Sequence, residues 1–420
     1  MNQKSSYKKV ASHEAEKGTF DKVLLLYSGG LDTSIMLKWI QDYYQVEVIA
    51  LTINIGQPSD DFEGVKQKAL DLGAKKAYVL DVAEEFVEEY ALKAVKANAD
   101  YQGGYHLFCP LGRAIIAKKA VEVAQTENIK VIAHGCTGKG NDQLRFEGYI
   151  TTLDPSLKTI APVREWQMGR EEELDYAHKN NISVKQTEQK IYSYDDNIMG
   201  VSIEGGEIEE IDKIPQLENI VTICNTPEKA PDKAEILNIE FEKGVPVALN
   251  GKKMSLIDLV KQLNIIGAEH AIGITHLIED RVVGLKVRGI YEEPAAEIMI
   301  QAHKKLEYLV CTRDENEFKT IIDQKWAYLC YEAKWFTPFM KHLESYIESV
   351  NKKVTGKVQI RLYKGNVTVV ALESDYSIFD EHLATFMKDD LFNQNASAGF
   401  IELWNLPQKS AYNLTKNIYE

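Results

Sequence analysis

Leu26-Tyr27-Ser28-Gly29-Gly30-Leu31-Asp32-Thr33-Ser34 is the stretch on which the fold turns. Upstream, Lys22 to Tyr27 is an apolar run; downstream, a helical pattern opens near Thr33. A buried strand that breaks at Ser-Gly-Gly and resumes as a helix makes a cradle for a phosphate. Glycine tolerates positive φ and has no Cβ, so the backbone amides at Gly29 and Gly30 can close on an anion. The hydroxyls of Ser28, Thr33 and Ser34 are expected to add donors. The helix start favours negative charge by about 0.3–1 kcal/mol per interaction. The Gly-Lys-Ser/Thr of the common NTPase loop is absent.

Working outward, strand signals at Lys22–Tyr27, Val46–Thr52, Lys76–Asp81, Lys130–Ala133 and Thr159–Pro162 alternate with helix patterns. The helices are expected at Thr33–Asp42, Glu63–Leu72, Ala83–Ala97, Gly112–Glu127 and Arg170–Lys179. That alternation predicts an α/β domain with a parallel sheet covered on both faces. Beyond about Gln186 the pattern changes to hairpins, Ala234–Phe241 with Val245–Leu249 and Val358–Leu362 with Val367–Ala371. Helices at Ser255–Leu263, Pro294–Val310 and, with a break, Arg313–Ser349 complete an α+β domain. The expected organisation is a flexible extension over 1–20, a nucleotide-binding domain over 21–186 and a synthetase and multimerisation domain over 187–406. Pro407 is read as ending a strand-like stretch, and 407–420 as a C-terminal helix that packs on another subunit.

Composition narrows the function. The chain has 420 residues and a formal net charge of −14, which argues against a general nucleic-acid binder. Its five cysteines are scattered without a CxxC pair, a pattern suited to free thiols in a reducing cytoplasm. The polar, mixed-charge start does not read as a signal peptide, and no run of about 18 apolar residues predicts a membrane span.

The second informative stretch is His134-Gly135-Cys136-Thr137-Gly138-Lys139-Gly140-Asn141-Asp142-Gln143-Leu144-Arg145-Phe146-Glu147. It leaves the carboxyl end of a strand, where α/β proteins bind ligands. Arg145 can grip a carboxylate with two hydrogen bonds, and Asp142 can hold an ammonium or a magnesium ion. Asn141 can donate to one substrate and accept from another.

LYSGGLDTS is similar to the pyrophosphate loop of N-type ATP pyrophosphatases. With NIGQ at Asn54–Gln57, HGCTGKGNDQLRFE and GIYEEP at Gly289–Pro294, nearly the whole chain resembles the argininosuccinate synthases. The resemblance implies an adenine nucleotide α-hydrolase type of nucleotide-binding domain. It also implies ATP-dependent ligation of citrulline and aspartate through a citrullyl-adenylate, with Mg2+ as companion ion and a homotetramer as the assembly. By match to the family, ATP lies on Leu26, Tyr27, Ser28, Gly29, Gly30, Leu31, Asp32, Thr33 and Ser34, and on Ile53, Gly135 and Thr137. Aspartate meets Thr137, Asn141 and Asp142. Citrulline meets Tyr105, Pro110, Asn141, Arg145, Ser193, Ser202, Glu279 and Tyr291. Asp32, Asn141 and Asp142 carry the catalysis, and no metal ligand is assigned.

On their own residues several of these read otherwise: Ser193 as a turn cap, Glu279 as a surface ion-pair residue, Tyr291 as packing. Asp195, Asp196 and Glu204 form an acidic patch that reads as a solvated face. One departure is at Cys109-Pro110, where many members carry small hydroxyl residues; the thiol is a weaker donor. Two rivals remain at this stage. Another adenylating pyrophosphatase, such as a tRNA-thiolating enzyme, would want paired catalytic cysteines and a basic surface. A non-catalytic nucleotide sensor would have no use for two amino-acid sites.

Overall fold

The structure, a computed structural model, describes residues 7–57, 61–166, 168–182, 191–385 and 391–419. The expected boundary at 186 lies outside them. Among the described residues fourteen strands are numbered in chain order. The first five are β1 (Lys22–Leu26), β2 (Glu47–Asn54), β3 (Lys76–Asp81), β4 (Val131–Ala133) and β5 (Lys158–Ile160). Then follow β6 (Tyr192–Asn197), β7 (Gly200–Gly205), β8 (Glu235–Glu242), β9 (Val245–Leu249) and β10 (Lys252–Lys253). The last four are β11 (Ile274–Asp280), β12 (Lys286–Glu292), β13 (Gly356–Tyr363) and β14 (Asn366–Glu373). The chain divides into two compact units, Met1–Tyr376 and Ser377–Glu420.

In the first unit, β1 to β5 pair in parallel in the order β3-β2-β1-β4-β5. The chain steps outward from β1 to β3, then returns across β1 to lay down β4 and β5. The order therefore reverses between β1 and β4, and the loops leaving their carboxyl ends part there to open a crevice. Val23, Leu24 and Leu25 of β1 are fully buried, as a central parallel strand covered on both faces requires.

The helix expected over Ala83–Ala97 is interrupted. Helical turns at Ala83–Phe86 and Leu92–Lys96 flank a π-helical turn at Val87–Ala91, which inserts an extra residue into the helical period. Tyr90 in that turn stacks on Trp335 with ring centroids 5.2 Å apart. The hairpins form as expected, within an antiparallel sheet ordered β10-β9-β8-β13-β14. A further antiparallel sheet, β11-β12-β7-β6, was not anticipated and supplies the other wall of the crevice.

Residues 7–20 are pinned to the first unit rather than free, because Glu14 bridges Thr159 at the edge strand β5. In the second unit, the stretch before Pro407 is helix, not strand: Ala396–Trp404 precedes Leu406–Tyr419. Pro407 stands in the first turn of that last helix, where its missing N–H costs nothing. Phe400, Leu403, Trp404 and Leu414 are exposed on the two helices. Among the described residues no helix is long and apolar enough to cross a membrane.

Candidate active site

The loop after β1 turns as its glycines require. Gly29 has φ 77°, and a Cβ there would stand 2.8 Å from Cγ2 of Val65. Gly30 takes the cap position of helix Leu31–Tyr44 with no side-chain cap, so first-turn amides are left to meet a ligand. Ser28 and Thr33 join their hydroxyls at 3.1 Å. Ser34, expected as a phosphate donor, is instead fully buried, and its hydroxyl donates to Gly30 O at 2.6 Å. Tyr27 is buried beside it, 3.1 Å from Ser34 Oγ. Their hydroxyls are thus hydrogen-bonded within the loop and the helix start.

The loop after β4 leads into helix Asp142–Leu153, and its charges interlock. Arg113 donates to Asp142 Oδ2 from Nε at 3.0 Å and from Nη2 at 2.8 Å, and Nη2 also reaches Asp195. Arg145 Nη1 donates to Asp142 Oδ1 at 2.8 Å. Burial pushes the Asp142 carboxyl up, but the two guanidiniums more than offset that and hold it at about 2. The two-pronged grip expected of Arg145 is partly spent inside the protein: Nε and Nη2 donate to Tyr331 O at 3.3 and 3.2 Å.

The opposite wall is the sheet β11-β12-β7-β6. Register places Ser202 directly across from Tyr291 and from Asp195, while Ser193 faces Glu204. Gly289 leaves room for Tyr291 to lean back, a Cβ there being 3.2 Å from the ring. Tyr291 OH then donates to Glu279 Oε2 at 2.5 Å. Glu279 Oε1 accepts from Tyr331 OH at 2.6 Å, and Asn141 Nδ2 donates to that same hydroxyl at 2.7 Å. Val282 N donates to Asn141 Oδ1 at 3.0 Å, so the amide orientation is set. One hydrogen-bonded chain thus links the β4 loop to the second sheet.

A cavity of about 560 Å³ lies between these walls. Asp32, Gly135, Thr137, Asn141, Asp142 and Arg145 line it from the parallel-sheet side, with Tyr105 beside them. Ser193, Ser202, Glu279 and Tyr291 line it from the other. The remaining loop residues from Leu26 to Ser34, and Ile53 within β2, stand outside its lining. Pro110 also does not line it. On helix Phe108–Thr126, Cys109 and Arg113, four apart, face the cavity, and Pro110 is buried away from it. Cys109 Sγ lies 3.7 Å from Ser202 Oγ, and burial first, then Asp195, pushes its thiol well up, keeping it neutral.

Three residues of this site were not singled out from sequence. Arg113 has no role in the sequence reading, yet it joins Asp142 to Asp195. Arg281 pairs with Glu204 at 2.6 Å and Arg113 with Asp195, so both carboxylates, though still partly exposed, are ion-paired. Tyr331 closes helix Arg313–Tyr331, and only its hydroxyl contacts mark it. Among the described residues no group of three or more His, Cys, Asp and Glu is arranged to hold a metal.

Two family models match the chain. The arginosuccinate synthase N-terminal HUP domain covers residues 22–183, and the arginosuccinate synthase C-terminal domain covers residues 192–411. The argininosuccinate synthase of Thermoanaerobacter sp. (strain X514) is 47% identical over 93% of this chain and 95% of its own length. That of Clostridium perfringens (strain 13 / Type A) is 44% identical over 92% of this chain and 96% of its own. Among solved structures, the U34-tRNA thiolase NcsA of Methanococcus maripaludis is similar at 16% identity and a TM-score of 0.28. It covers 41% of this chain and 62% of that one, and bears on nothing further.

Proposed function

The chain belongs to the argininosuccinate synthase family, and from that membership we propose how its cavity performs the family reaction. It is an ATP-dependent ligase that joins citrulline to aspartate and releases AMP and pyrophosphate. The ureido oxygen attacks the α-phosphorus and pyrophosphate leaves, giving citrullyl-adenylate. The aspartate amine then attacks the activated ureido carbon, AMP departs, and the amine proton is lost. Most of the rate comes from holding three substrates in line and offsetting phosphate charge.

The β1 loop and the Gly135–Thr137 stretch hold ATP in this reading, with phosphates at the open amides of helix Leu31–Tyr44. Thr137, Asn141 and Asp142 hold aspartate; the carboxylate of Asp142, charged at any working pH, suits its ammonium. Tyr105, Ser193, Ser202, Glu279 and Tyr291 surround citrulline, with Glu279 facing its amine and the Arg145 guanidinium, which also lines the cavity, facing its carboxylate. Asp32 stands at the lip of the phosphate loop. Magnesium would enter with ATP and offset the charge of its phosphates.

The observation that carries this reading is the single cavity at the β1/β4 reversal, lined from both sheets by residues of both amino-acid sets. The same reading makes the protein a cytoplasmic homotetramer that binds neither nucleic acid nor membrane. Five free cysteines and the apolar side chains exposed on the C-terminal helices support it. Omitting ATP, citrulline and aspartate in turn tests the function. AMP and pyrophosphate release that needs all three, with argininosuccinate formed, is the expected result; release without citrulline would overturn it.

A further inference from the structure

The N-terminal family model begins at residue 22, yet the residues before it are wired to the nucleotide side of the cavity. Ala15 N donates to Thr159 O at 3.0 Å, and Thr159 N donates to His13 O at 2.8 Å, along the outer edge of β5. Glu14 closes the segment on itself, accepting from Tyr7 OH at 2.6 Å and from the amides of Val10 and Ala11 at 2.9 and 3.0 Å. Lys9 donates to Tyr44 OH at 2.9 Å and lies 3.5 Å from Glu165.

His13 reaches inward. Its Nε2 bonds Glu147 Oε2. The other oxygen of Glu147 meets His134 Nε2 at 3.1 Å and Arg164 Nη2 at 2.7 Å. Cys136 N donates to His134 Nδ1 at 3.2 Å. A ring nitrogen that accepts an amide carries no proton, so the proton of His134 sits on Nε2 and points at Glu147. Burial pushes the Glu147 carboxyl up, but His134, Arg164 and His13 together bring it to about 2. Covering an exposed sheet edge needs only backbone pairing. The side chain of His13 adds a link, through Glu147 and His134, to the amide beside Gly135 in the loop that lines the cavity.

We propose that residues 7–17 form a strap that positions the Gly135–Asp142 loop for ATP and aspartate, with His13 as its positioning residue. The proposal rests on the reading above for what that loop binds. Losing His13 leaves one oxygen of a buried carboxylate short of its donor, frees Glu147 to turn, and loosens the tautomer and placement of His134.

The test is ATP titrated alone, by calorimetry, into the full chain and into the His13→Ala and His13→Gln variants. KM for each substrate is measured alongside. His13→Ala is expected to weaken ATP and raise KM for aspartate about three- to tenfold, with KM for citrulline within about twofold. His13→Gln keeps a donor for Glu147 and is expected to recover most of the loss. It also decides the matter should His13→Ala not fold: citrulline affected as strongly as ATP in His13→Gln would overturn the proposal. Unchanged ATP affinity in folded His13→Ala, or an equal loss for all three substrates with a lowered melting temperature, would overturn it too. A wild-type chain that binds ATP but makes no argininosuccinate would instead sink the reaction, while the ATP titration still judges the strap.

Discussion

Asp142 is held between two guanidiniums, Arg113 on one oxygen and Arg145 on the other, at 2.8 Å each. The alanine variant strips the shared counter-charge from both, so each is left to turn toward the phosphates or toward Asp195. Asp142→Ala is expected to keep ATP binding and lose about 10²–10³-fold in kcat, the size seen when a preorganised polar group is removed. Calorimetry with ATP and steady-state assays separate the two; near-normal turnover would remove Asp142 from the reaction. The wild-type carboxyl contributes no acid limb above about pH 4, since its proton returns only as the pH falls toward about 2. At this scale the sequence was uneven. Asp142 and Asn141 stood out because glycines and polar residues crowd together around them. Tyr331 did not, because a tyrosine ending an amphipathic helix reads as core until its hydroxyl meets partners distant in the chain.

Elements explain why some walls were legible and others not. The apolar run of β1 followed by paired glycines announces a strand, a turn and a helix, and the structure has them in that order. In β6, Tyr-Ser-Tyr-Asp-Asp-Asn lacks an apolar alternation, because the face carrying Ser193 and Asp195 borders the cavity instead of a core. Strands that line a polar site lose the burial signal by which strands are recognised. The turn after β1 is also where a small change has a large effect. Gly29→Ala puts a Cβ into left-handed backbone and against Val65 of helix Phe62–Asp71. A loss of about 1–3 kcal/mol is expected by chemical denaturation, with weakened ATP binding. A variant as stable and as tight for ATP as wild type would show that the loop relaxes freely.

For the molecule as a whole, alternating strands and helices fixed the domain class, because a parallel sheet needs its crossovers and reverses order once. The extent of the segments around that core was less readable. Residues 7–20 looked mobile because their anchors, Thr159, Glu147 and Glu165, are far along the chain. The helix Ala396–Trp404 looked like strand because Phe400, Ile401, Leu403 and Trp404 cluster without a buried face in this chain. The central claim is that one cavity, shared by the two sheets, lets the citrulline ureido oxygen reach the α-phosphorus of ATP. Citrulline labelled with ¹⁸O in the ureido group, turned over with ATP and aspartate, tests it most directly. The account predicts that the label leaves in AMP; unlabelled AMP formed alongside argininosuccinate would contradict it.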